Sequence, residues 1–440
     1  LIPFVSLISI RERFFFDNFL YHIPLINLLI ENNLVLGQSN INFRFGTPTL
    51  IYGLYSSFYL PITEYNSSFL LNSVFFIFVI KYFLDQNLKK KTSSTYILII
   101  LILFILIDAL IHPLPLGLFV GRLGVPEYDF LVGLLHIYTV FYVIENILND
   151  KIKNNFYILI LLLLITFIKP TIFPIFFIFL WLIFSQRNHI AGMLKEFPKQ
   201  YLLLISFVVI FLSKSFLSTG CFYPYLKFTC QNVSWYSSNI INTLGLASIS
   251  WKGYTTNVSS LLDFSWVIYW FKNYFLSTSF FIYFLTLLTV NFLFILKTQK
   301  FNINKSFEIQ TWKKILILHF VGIIFWFLLS PDLRFVWSTI FIICSIIIFN
   351  ILKKLNMINR LFDLFNLSKK FNLLIILLLS ILSVKNLYLI NYEGLSEKFK
   401  SNDNYVEYIN KKGVKINIVK KNNFSNYKLC GFTPNPCSID

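Results

Sequence analysis

Long apolar runs separated by short lysine-rich segments set the pattern of this chain. Runs able to span a bilayer lie at about 67–84, 95–112, 128–148, 201–218, 272–296, 315–330, 336–352 and 371–390. A spanning helix needs about 20 apolar residues at 1.5 Å per residue. The run 156–184 is too long for one upright helix and is interrupted by Lys169-Pro170-Thr171, so it predicts two short helices meeting at that break. The pattern predicts an all-α polytopic membrane protein with about ten transmembrane helices. The first ten residues, Leu1 to Ile10, are apolar and stop at Arg11-Glu12-Arg13. They read as the end of a helix whose start is missing, because neither a basic front end nor a small-residue cleavage site marks a signal peptide.

The distribution of lysine and arginine predicts sidedness through the positive-inside rule. Asp85–Ser94, Asn149–Asn155, Ser185–Gln200, Lys297–Lys314 and Lys353–Lys370 are basic, whereas His112–Glu127 and Ser330–Phe335 carry one arginine each. With the basic set cytoplasmic, every crossing alternates if 156–184 is a hairpin with Lys169 facing outward. The outer side then holds a first loop at 11–66, 113–127, the 169–171 turn, a large loop at 219–265, 331–335 and a tail at 391–440. Residues 1–390 form the membrane domain, and 391–440 a small extracytoplasmic appendage with an alternating run at Val414–Val419.

Composition sharpens this picture. Of 440 residues 56% are apolar, 19% aromatic and only 13% charged, against about 25% charged in soluble proteins. This excludes a water-solvated globule, a disordered chain and a nucleic-acid-binding domain. The formal charge of +18 therefore reads as topology signal. Lysine, isoleucine, asparagine and phenylalanine are abundant, the residue choice of AT-rich coding sequence in a low-GC prokaryote; for such a cell the spans above place the chain in the inner membrane. Cys221 and Cys230 share one outer loop, Cys430 and Cys437 share the tail, and Cys344 stands alone in a helix. Two local disulfides on an oxidising side are expected; zinc is disfavoured because no histidine accompanies these spacings.

Candidate chemistry gathers in the outer segments. Asp17 lies just before an amphipathic run in which Tyr21, Leu25, Leu28 and Leu29 share a face, as in a helix lying in the membrane interface. Asp17 is either an N-cap or a carboxylate base at the water–lipid boundary. His22 either holds Asp17 or contacts an acceptor, with a structural hydrogen bond as the plainer role. Glu127 and Asp129 open the 128–148 helix, where capping and the helix dipole compete with a role in substrate binding. Lys169 is costly within an apolar run unless it snorkels. Arg334 suits phosphate or a local pair with Asp332; Arg44 and Arg122 are weaker candidates of the same kind. The aromatic residues of 219–265 suit interface anchoring or sugar stacking.

Asp17-x-x-x-Tyr21-His22, Gly37 with Asn40-x-x-x-Arg44-Phe45-Gly46, Pro331-Asp332-x-Arg334-Phe335 and Cys430-x-x-x-Pro434-x-Pro436-Cys437 resemble motifs of a group of bacterial multi-pass proteins with the architecture of the GT-C superfamily of glycosyltransferases. The resemblance implies a GT-C-like bundle with interfacial helices in the first outer loop, and transfer of a sugar from a polyprenyl-phosphate donor to a glycan, lipid or protein acceptor. It implies Asp17 as general base, Lys169 and Arg334 at the donor phosphate, and Glu127 or Asp129 as a second acidic group positioning the acceptor. No cofactor is required; nothing calls for a metal, though a divalent ion is compatible with the acidic groups. Two rivals remain. One is a polysaccharide polymerase of the O-antigen type, although the 219–265 loop lacks arginine. The other is a transporter or flippase of lipid-linked sugars, which predicts an internal repeat and ionisable residues near the midplane. No clear repeat is found, and Asp108, the only acidic residue deep in a run, lies close enough to His112-Pro113 to be interfacial.

Overall fold

A computed structural model describes residues 21–32, 34–60, 65–87, 128–148, 157–169, 172–185, 198–249, 265–272, 307–329, 335–354, 376–384, 405–409, 415–419 and 437–438, with residues 3, 97, 100, 101 and 373. The protein is mostly helical. Among the described residues three helices are long and apolar enough to cross a membrane: Tyr128–Ile147, Tyr201–Thr219 and Thr311–Leu328.

In chain order the helices are α1 (Ile23–Asn32), α2 (Ile51–Ser57), α3 (Tyr65–Asn87), α4 (Tyr128–Leu148), α5 (Tyr157–Ile168), α6 (Phe173–Ser185), α7 (Pro198–Thr219), α8 (Ser238–Ile249), α9 (Ser265–Trp270), α10 (Phe307–Leu329) and α11 (Trp337–Lys354). The runs at 67–84, 128–148, 201–218, 315–330 and 336–352 thus fall on helices. The run at 95–112 lies outside the described residues except for Ile97, Ile100 and Leu101, which are helical, as does 272–296 beyond its first residue.

Backbone chemistry explains several boundaries. The 156–184 run breaks as expected, with α5 ending at Ile168 and α6 starting at Phe173, because a residue before proline is driven out of the helical region. Pro198 starts α7, where its missing N–H costs nothing. Gly220 ends the same helix at φ 82°, its N–H bonded to the Phe216 carbonyl at 2.7 Å. That left-handed stop favours glycine.

The buried face of each helix sets the packing. Helix α4 is central, with 78% of its apolar window buried, whereas α7 and α10 bury 22% and 33% of theirs. Helices α3, α5, α10 and α11 pack around α4, and α6 packs along α10. Two glycines permit the closest approaches. A Cβ at Gly133 would overlap the Trp337 indole, and one at Gly322 would overlap Pro174. Helix α1 differs from the interfacial expectation: residues Ile23 to Leu28, Asn27 included, are all buried. The face expected to meet lipid is taken up by α2 and the rest of the main core.

The described residues sort into two ends. At one, Tyr82 donates to Glu145 at 2.9 Å, the Phe141 and Trp312 rings meet at 5.5 Å and Lys314 lies 5.9 Å over Trp181. The other end carries the start of α4, the break after α5, the start of α11 and residues 21–52. In the tail, β1 (Tyr405–Ile409) pairs antiparallel with β2 (Lys415–Val419), and β2 pairs parallel with β3 (Cys437–Ser438). Residues 415–419 of the alternating run are therefore a strand, as the period-2 pattern predicts, within a sheet of order β1-β2-β3.

Candidate functional site

The break after α5 places a lysine inside the bundle. Lys169 continues the helical bonding, its N–H reaching the Ile165 carbonyl at 2.9 Å, and its own carbonyl receives the N–H of Ile172 at 3.2 Å. Thr49 donates its hydroxyl to the neighbouring Ile168 carbonyl at 2.6 Å, satisfying one of the acceptors that a helix end leaves open. The Lys169 side chain forms an ion pair with Asp129 in the first turn of α4, and both side chains are buried, at 5% and 7% exposure. Removing two charges from water costs several kcal/mol per ion. The ammonium also sits 3.7 Å from the Phe335 ring centroid and 5.1 Å from that of Tyr128, where the negative ring faces add attraction. Trp337, at the start of α11, donates its indole N–H to the Asp129 carbonyl at 3.4 Å.

Beside this pair stands an aromatic wall. The His22 ring lies 4.1 Å from Tyr21, 5.6 Å from Tyr52 and 5.6 Å from Tyr128, centroid to centroid. Nδ1 of His22 meets the Tyr52 hydroxyl at 2.7 Å. Burial first, then the neighbouring Tyr128 and Tyr21, pushes the Tyr52 phenol well above its usual pKa. Tyr52 therefore keeps its proton. A protonated phenol can donate to a neutral Nδ1 or accept from Nδ1–H, so the His22 tautomer sets the direction of this bond. Arg44 lies 4.8 Å over the Tyr21 ring. It is placed by a turn in which Asn42 accepts from the Arg44 N–H at 3.0 Å.

Of the residues singled out in the sequence, His22, Asp129 and Lys169 thus come together, and Asp129 and Lys169 pair with each other. Asp129 sits in the first helical turn, as the dipole reading expects, while its carboxylate also faces a cation. Asp17, Arg122, Glu127, Asp332 and Arg334 lie outside the described residues. In sequence, Glu127 immediately precedes Tyr128, and Arg334 immediately precedes Phe335. Cys221 and Cys230 form a disulfide, Cys344 is a buried free thiol, Cys437 lies in β3 and Cys430 is outside the described residues. Among the described residues no group of three or more His, Cys, Asp or Glu could hold a metal.

Sequence reasoning did not pick out Thr49, Tyr52 or Trp337. A tyrosine or tryptophan in an aromatic-rich chain carries no signal of its own, and only the fold brings these side chains to the pair. It also passed over His136 and His319, which stack at 5.2 Å between α4 and α10.

The arrangement defines a helical membrane protein with a buried charge pair and an aromatic wall at one end of its bundle. The chain belongs to the family described as a domain of unknown function, DUF8201, whose model matches residues 1–341. That span includes every residue of the site. No curated protein and no solved structure matches the chain.

Proposed function

We propose that this protein is a GT-C-type membrane glycosyltransferase, transferring a sugar from a polyprenyl-phosphate donor to a glycan, lipid or protein acceptor on the extracytoplasmic face of a bacterial inner membrane. The observation that carries the reading is the meeting of four segments at one end of the bundle. Residues 21–52 lie in the first outer loop that the lysine pattern assigns, and the start of α4, the break after α5 and the start of α11 adjoin its outer segments 113–127, 169–171 and 331–335. They bring together a buried cation, a carboxylate, a histidine and several aromatic rings. The disulfide between Cys221 and Cys230 also suits an oxidising outer compartment.

In this reading Asp17, five residues before His22, removes the acceptor hydroxyl proton. The acceptor oxygen attacks the anomeric carbon, the bond from that carbon to the phosphate oxygen breaks, and the polyprenyl phosphate leaves with the electron pair. A single displacement inverts the anomeric configuration. His22, five residues on in the chain, orients the carboxylate. Lys169 and Arg334 neutralise the leaving phosphate, and Glu127 with Asp129 positions the acceptor. Asp129 also holds Lys169 in place, so the pair presents a preformed cation with little reorganisation during reaction. The aromatic wall offers apolar faces for a sugar ring.

Asp17→Asn tests this directly in cells making surface glycan, with membrane abundance checked. Loss of the glycan product with normal abundance is expected, and unaltered glycan would overturn the assignment of the base.

One observation favours the transporter reading. His136 and His319 stack near the middle of α4 and α10, and neither Nε2 has a hydrogen-bond partner among the described residues. Ionisable groups at mid-membrane mark substrate and proton paths. A glycan defect in the double variant His136→Gln/His319→Gln, with wild-type product from Asp17→Asn, selects that reading.

A further inference from the structure

The disulfide-closed segment that follows α7 plays no part in the proposed chemistry. Its surface is unusual for a loop. Phe222, Tyr225, Leu226 and Phe228 are all exposed, Phe228 at 82%, with Lys227 exposed between them. An aromatic and aliphatic tip of this kind is unfavourable in water and marks an interaction surface.

Its backbone is equally distinctive. The N–H of Phe222 bonds to the Thr229 carbonyl at 3.2 Å, that of Leu226 to Tyr223 at 2.9 Å, that of Thr229 to Leu226 at 2.9 Å and that of Cys230 to Lys227 at 3.1 Å. The Thr229 hydroxyl accepts from the Tyr223 N–H at 3.1 Å and lies 2.7 Å from the carbonyls of both Tyr223 and Leu226, which compete for its single proton. The disulfide and an antiparallel bridge between Cys221 and Cys230 close the base. An unsatisfied peptide group in hydrocarbon costs several kcal/mol. The N–H groups of Phe222, Tyr223, Leu226, Thr229 and Cys230 are bonded within the segment, whereas those of Tyr225, Lys227 and Phe228 are left for headgroups and water, which suits side chains dipping into lipid from a backbone held at the interface.

The segment is also fixed in height. It follows α7, a helix long and apolar enough to cross a membrane, and Phe222 stacks on Phe216 of that helix at 4.9 Å. The Gly37 N–H bonds to the Leu217 carbonyl at 2.8 Å, and Asn40 donates to the Trp235 carbonyl at 2.8 Å. Lys214 reaches the Thr47 carbonyl at 3.3 Å. These bonds tie it to the end of the bundle that carries the candidate site. Its apolar surface adjoins a helix that is itself mostly unburied by protein, so the lipid around α7 reaches it without interruption.

We infer that the 221–230 segment is an interfacial membrane anchor, with Phe222, Tyr225, Leu226 and Phe228 seated among the upper acyl chains and Lys227 on the lipid phosphates. Aromatic and basic residues both favour that depth. The anchor would hold the site end of the bundle at the lipid boundary whatever reaction takes place there.

The test places a polarity-sensitive NBD label at Phe228→Cys in the full chain, without reductant, in vesicles of phosphatidylethanolamine and phosphatidylglycerol. Protein lacking that substitution controls for labelling elsewhere, and peptide mapping checks that the Cys221–Cys230 bond is intact. Blue-shifted emission, quenched by brominated acyl chains and shielded from aqueous iodide, is expected. Adding Lys227→Glu should weaken the bromolipid quenching as the phosphatidylglycerol fraction rises. Quenching by iodide without quenching by bromolipid overturns the inference. So does shielding from both, which would mean that protein covers the segment.

Discussion

At the residue scale, the Lys169–Asp129 pair concentrates the opposing energies. Removing one partner deprives the other buried charge of this counter-ion, which typically costs about 3–5 kcal/mol, whereas replacing both by apolar side chains is often neutral or stabilising. Lys169→Met and Asp129→Leu are therefore each expected to lower the thermal midpoint in detergent or nanodiscs strongly, and the double variant to recover most of the loss. The glycan product separates architecture from function: the stable double variant should make none if the cation serves the donor phosphate. Both residues were legible in the sequence as candidates, because a lysine in an apolar run and a carboxylate opening a helix each stand out. Their pairing was not, since 40 residues separate them and no local pattern records which helix ends meet. Tyr52 was not legible for a related reason: its value lies in one hydrogen bond to His22.

Two devices at the element scale set how closely helices approach, and each makes a prediction. Gly133 on α4 leaves room for the Trp337 indole, and the Phe130 and Trp337 rings stack at 6.1 Å on the same contact. Overpacking of this kind typically costs about 1–3 kcal/mol. Gly133→Ala should lower the thermal midpoint, and Trp337→Phe in the same chain should recover part of it by removing ring atoms that the new methyl meets. The second device is the disulfide. Closing a loop of this length restricts the unfolded chain by roughly 3 kcal/mol in the chain-entropy view. Cys221→Ser/Cys230→Ser should unfold at lower temperature than wild type, while wild type in reductant approaches the variant. Helix positions were legible because hydropathy, Pro170, Pro198 and Gly220 act locally. The enclosure of α1 was not, because Tyr21, Leu25 and Leu28 look the same to an apolar period whether the partner is lipid or α2.

For the whole molecule, the decisive correspondence is between charge pattern and geometry. Tyr82, Glu145, Trp181 and Lys314 flank the lysine-rich segments, and they meet at one end. Tyr21, Tyr52, Tyr128, Lys169 and Phe335 adjoin or lie in the segments poor in positive charge, and they meet at the other. The packing gathers these helix ends without orienting them across a membrane; the positive-inside rule, which uses composition next to the spans, supplies the orientation. It predicts that the site end faces outward. Ser57, exposed at the end of α2, and Lys90, in the first lysine cluster, report the two sides. Ser57→Cys should react with a membrane-impermeant maleimide in intact spheroplasts, and Lys90→Cys only after permeabilisation, against a background set by the unsubstituted chain. The reverse pattern would put Lys169 and the aromatic wall on the cytoplasmic side. A polyprenyl-phosphate donor presented outside could not reach them there, so this labelling experiment bears on the proposed reaction as strongly as any substitution within the site.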